Sequence, residues 1–105
     1  MAIGFNCHQV VGVSAISLAD SLSLAFQKGF NIVWLGAFAS NTNTIYVGFN
    51  SDVAVPVNGV RNEEDGWPLT AGKTLPILVG ELFNAGASLY VIAGAANQDL
   101  AVIAY

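Results

Sequence analysis

The chain has 105 residues, of which 54% are hydrophobic and 10% charged, with a formal net charge of −4 and a mean hydropathy of +0.60. One domain's worth of length, so apolar and so poor in charge, excludes disorder, and three scattered basic residues, Lys28, Arg61 and Lys73, exclude a surface that neutralises phosphates. A domain this small cannot hide that much apolar side chain, so its surface must meet a bilayer, another protein or copies of itself.

Residues 1–14 carry no Asp, Glu, Lys or Arg and little regular patterning, and are expected as an N-terminal arm ahead of a domain spanning 15–105. The charge-free stretches 1–19 and 29–51 are interrupted by polar residues, among them Asn6, His8, Gln9, Asn31, Asn41 and Asn43. Neither is flanked by a basic cluster, so neither reads as a membrane span. Residues 10–19 resemble a secretory h-region ending in Ser17-Leu18-Ala19, but no positive residue precedes them, as a signal requires.

From there the dominant pattern is β: short Val, Ile and aromatic runs between Gly, Asn and Ser clusters. Residues 10–16 are a weak strand candidate. Residues 18–28 allow two readings. Leu18, Leu22, Ala25 and Phe26 form a helical stripe with Ser17 and Asp20 as capping box and Gly29 as stop. Residues 21–26 also alternate as a strand does, and the β character elsewhere favours the strand. Residues 30–38 are a strand with Phe30, Ile32, Trp34 and Gly36 on one face. Residues 44–49 align Ile45, Val47 and Phe49, and residues 52–57 are a second weak candidate. Asn58-Gly59 is a strong hairpin dipeptide. Residues 74–79 align Leu75, Ile77 and Val79 after the turn at 71–73, a further turn falls at 84–86, and residues 88–93 and 99–105 complete the set. Residues 81–84 suit one helical turn. Pro56 and Pro76 lack the ladder N–H, which places their strands at an edge or a bulge.

Short strands with frequent turns make an all-β domain: a β-sandwich, jelly roll or small barrel. Several strands are apolar on both faces, as in Leu89-Tyr90-Val91-Ile92-Ala93. A simple sandwich turns one face of each strand to water, so the second apolar face needs its own partner, which points to homo-oligomerisation.

No constellation for chemistry emerges. Adjacent Cys7 and His8 point to opposite faces of a strand, and one Cys with one His falls short of a zinc set. Arg61, Glu63, Glu64 and Asp65 gather four of the ten charges, but Glu63-Glu64-Asp65-Gly66 lacks the alternate spacing of a calcium loop and reads as a solvated turn. With Trp67 beside them these residues are the candidate partner interface, since Trp and Arg are enriched in hot spots, although Trp67 suits a core equally. Ser17, Ser21 and Ser23 have no nucleophile-elbow context. Trp34, Tyr46 and Tyr90 would stack on a sugar ring in a carbohydrate-binding module, the reading of another class, but pack as readily inside a sandwich. No catalytic residue, cofactor or metal is expected.

Three segments of the second half carry a resemblance. Asn43-Thr44-Ile45-Tyr46-Val47-Gly48, the run from Gly66-Trp67-Pro68-Leu69 to Gly72 and Ile77, and Leu89-Tyr90-Val91-Ile92-Ala93 followed by Ala96-Asn97-Gln98 and Leu100-Ala101-Val102-Ile103 resemble the strands of small tailed-phage virion proteins. The likeness spans about residues 30–105, with structural motifs that also recur in larger head, neck and tail proteins; residues 1–30 resemble nothing comparable. The resemblance implies a virion β-sandwich of the capsid cement, or decoration, type. Such a protein sits on the capsid exterior, commonly as a homotrimer, binds the major capsid protein and stabilises the head. A head-fibre, neck or tail component is the alternative position.

Overall fold

In the computed structural model, which describes residues 5–19, 22, 27, 29–57, 65–80 and 89–104, eight strands form where the period-two pattern is strongest. They are β1 (Phe5–Val11), β2 (Ile16–Ser17), β3 (Ile32–Ala37), β4 (Ile45–Gly48), β5 (Trp67–Leu69), β6 (Thr74–Leu78), β7 (Tyr90–Ala93) and β8 (Gln98–Ala104). They build two four-stranded antiparallel sheets, A in the order β1-β8-β3-β6 and B in the order β2-β7-β4-β5. The first strand pairs with the last, the second with the seventh, the third with the sixth and the fourth with the fifth. This is one long hairpin rolled into two layers, a jelly-roll arrangement of the β-sandwich. The Cα radius of gyration, 13.3 Å, matches the ~13 Å of a single domain of this length.

The core lies between the sheets. Sheet A contributes Val11, Val33, Leu35, Ala37, Leu100 and Val102, and sheet B contributes Ile45, Val47, Leu69, Val91 and Ala93, all buried. Alternation then forces the intervening residues outward: Ile32, Trp34 and Gly36 on β3, and Asp99, Ala101 and Ile103 on β8. Both prolines that fall within strands sit on edges: Pro76 in β6, as expected, and Pro68 in β5. The turn between those strands closes with Lys73 N–H donating to Thr70 O at 3.0 Å, Gly72 taking φ 81°.

Several expectations need correction. Residues 5–11, expected within an N-terminal arm, are strand β1, in register with β8 over its whole length from Phe5↔Ala104 to Val11↔Gln98. The weak candidate at 10–16 is split between β1 and the two-residue β2. The candidate at 52–57 is no strand; it contributes a bridge from Ala54 to Asp65. Phe49 leaves the core alignment of Ile45 and Val47 and is exposed beyond the end of β4. Within 18–28, the described Ala19, Leu22 and Gln27 are helical rather than extended. Leu22 N–H donates to Leu18 O at 3.1 Å, and Ala19 N–H donates to Ser17 Oγ at 3.1 Å, the cap that starts the turn. The turns at 58–59 and 84–86 and the helical turn at 81–84 lie outside the described residues.

The connection after β4 folds back over the outer face of sheet B. Val53 is buried there, outside the inter-sheet core, in a seat left by two glycines. A Cβ on Gly48 would come 2.6 Å from Val53 Cγ2, and one on Gly66 would come 2.8 Å from Val53 Cγ2 and from Tyr46 Cβ. The Gly66 site is walled by backbone as well, with Val47 N at 2.9 Å, so Gly66→Ala should lower stability by about 1–3 kcal/mol through overpacking. Gly80→Ala, where nothing lies within 4 Å, should leave it within about 0.5 kcal/mol. Urea denaturation of both variants checks the contrast.

Candidate interaction surface

Two polar side chains at one end of the sandwich set the geometry of sheet A. The β3–β4 and β7–β8 connections both cross between the sheets there. Gln98, at the head of β8 and 2% exposed, accepts from Thr42 N–H and Asn43 N–H at 2.9 Å each. Its amide donates to Thr42 Oγ1 at 3.1 Å and Ala96 O at 2.9 Å. Asn41 extends the ladder with its side chain: Nδ2 donates to Asp99 O at 2.9 Å and Oδ1 accepts from Asp99 N–H at 2.8 Å. Asn97, in the adjoining turn, takes φ 60°, a conformation Asn tolerates better than most residues.

This clamp aims Asp99 outward. His8, whose register places it beside Ala101, reaches back so that its Nε2 lies 2.6 Å from Asp99 Oδ1. Its ring leans on Phe38, with centroids 5.4 Å apart. Both members of the pair are substantially exposed, at 53% and 34% of the side chain, so the contact is screened and weak. The pair has no nucleophile beside it in the register: its outward neighbours are Ala101, Gly36 and Val10. Among the described residues no three of His, Cys, Asp and Glu come together as a metal-holding group, and no described helix is long and apolar enough to cross a membrane.

Beyond this rim the outer face of sheet A carries large apolar side chains on β3, β6 and β8. Trp34 lies between Ile103 and Pro76, and Ile32 lies beside Leu78. Ile103 is 42% exposed and Leu78 52%; Ala101 and Gly36 continue the surface toward Val10 and Phe38, both also exposed. Three strand spacings of ~4.8 Å and six residues of ~3.3 Å give it a footprint of about 300 Å². On sheet B the outward Tyr46, Tyr90 and Ile92 are half-buried, as Trp34 is on sheet A, and Val53 covers the β4 side.

Of the interface residues expected from sequence, Arg61, Glu63 and Glu64 lie outside the described residues. Asp65 is half-buried and bridges to Ala54. Trp67 opens β5 opposite Val47 and is 66% exposed, so it is not a core residue. The outer face of sheet A was not singled out from sequence: the doubly apolar strand named there, residues 89–93, contains β7 of sheet B. Comparison with protein-family models, curated proteins and solved structures gives no match.

Replacing the buried Gln98 by Ala would remove its four hydrogen bonds to the 42–43 and 96 backbone and to Thr42 Oγ1, at a cost of about 1–3 kcal/mol. His8→Ala should cost less than about 1 kcal/mol. Thermal denaturation of the two variants, with the larger loss in Gln98→Ala, checks this ranking.

Proposed function

We propose that this chain is a non-enzymatic structural component of a tailed-phage particle: a capsid cement protein on the head exterior that binds the major capsid protein and stabilises the shell. The observation that carries the reading is the outer face of sheet A. Large apolar side chains on the outer face of β3, β6 and β8 are costly in water, and the jelly roll uses only the other side of that sheet for its own core. Covering it many times over a lattice would turn modest contacts into a strong hold. The likeness of residues 30–105 to virion strands supplies the particle. Self-association, as a homotrimer or otherwise, belongs to the same reading, and a head-fibre, neck or tail position would use the same face.

Jelly rolls also serve as lectin and binding domains, and topology does not decide between such roles. A sugar site needs convergent polar groups beside its aromatics. Here Trp34 is surrounded by Ile103, Pro76, Gly36 and aliphatic neighbours, an environment suited to a protein surface.

Particles that encode the chain should contain it in a fixed ratio to the major capsid protein, and Leu78→Lys should reduce that occupancy by about tenfold or more, a single charge at an apolar contact sufficing. Quantitative mass spectrometry of gradient-purified particles measures both. Absence of the chain from particles, or saturable quenching of Trp fluorescence by oligosaccharides, would contradict the reading.

A further inference from the structure

The four sheet edges are β1 and β6 in sheet A and β2 and β5 in sheet B. Three are blunted in ways that stop edge pairing. β2 has two residues, β5 has three including Pro68, and β6 carries Pro76 at its centre. β1 is the exception. Its seven residues, Phe-Asn-Cys-His-Gln-Val-Val, contain no Pro, Gly, Asp, Glu, Lys or Arg. Its one ionisable base, His8, is already held by Asp99. Among the described residues no strand lies on its free side, so alternate backbone N–H and C=O groups along seven residues face outward.

We propose that β1 pairs antiparallel with β1 of a second copy across a two-fold axis, joining two A sheets into one eight-stranded sheet. The occupant follows from the count of open edges. A head-to-tail contact between copies needs a second open edge, and among the described residues the other three are blunted; a single open edge is satisfied by the isologous pairing, which closes at two chains and cannot propagate into a fibre. The charge pattern permits it, because each His8 at the seam brings its own carboxylate. The self-pairing stands on the edge itself; only the use of the joined face to hold a capsid rests on the function proposed above.

Analytical ultracentrifugation of the full chain over micromolar concentrations should show a species of two chains. Val10→Lys, at the seam and beside Asp99 in the register, should weaken that species roughly tenfold or more, lysine being a natural edge blocker. Leu78→Lys, on the far edge strand, should leave it unchanged. In a Cys7→Ser background, at least one of Asn6→Cys, His8→Cys and Val10→Cys should oxidise to a disulfide-linked pair. Those folded cysteine variants decide the matter if Val10→Lys does not fold. A monomer or trimer throughout the range, or a dimer that neither Val10→Lys weakens nor any of the cysteines traps, would overturn the proposal. A monomer that still occupies particles would overturn the pairing while leaving the capsid reading intact; a dimer missing from particles would support the pairing and remove the capsid reading.

Discussion

Sheet A carries large apolar side chains on both sides, and a two-layer sandwich can cover only one of them. Val33, Leu35, Leu100 and Val102 face sheet B and are fully buried; Ile32, Trp34, Leu78 and Ile103 occupy the alternate positions and face out. Strand periodicity makes this unavoidable. Once β3 and β8 place one set of side chains in the core, the other set must stand on the opposite face, and no rotation of a strand can hide both. Part of the exposed apolar surface, Ile32, Leu78 and Ile103, therefore stands on the outer face of sheet A, while Val13, Phe49, Val57 and Trp67 are exposed elsewhere.

The corner built by Gln98 and Asn41 keeps that face in register. Buried polar side chains are tolerated when their hydrogen bonds are met, and Gln98 meets two acceptor and two donor contacts while tying the 38–44 connection to β8. Asn41 imitates a strand neighbour for Asp99. Slippage of β8 by one residue would break both sets and exchange Leu100 and Val102 for Asp99 and Ala101 in the core. On the opposite layer, Val53 on its glycine seat shows how the chain covers an outer face when it has a segment to do so.

The strands most legible in the sequence were those with strong alternation and turn residues at their ends: 30–38, 74–79 and 99–105. Their alternation did not reveal which set faces inward, since Ile32 and Trp34 are as apolar as Val33 and Leu35. β5 was illegible because three residues with a proline carry no pattern of their own; its ladder with β4 makes it a strand. β1 was hidden because Asn6, His8 and Gln9 read as polar interruptions, yet β8 supplies the partner that orders them. The contacts that shape the rim join residues 55 to 91 positions apart, which leave no local trace. At 17–22 the capping serine and the Leu18–Leu22 spacing were informative, and the β character of the rest of the chain outweighed them wrongly.

The central claim is that the outer face of sheet A is covered when the protein works. Hydroxyl-radical footprinting of the free chain and of the chain in purified particles measures this side chain by side chain. The account predicts that Trp34, Leu78 and Ile103 react in dilute free protein and are protected in the particle. Equal reactivity of those three residues in both states would contradict it.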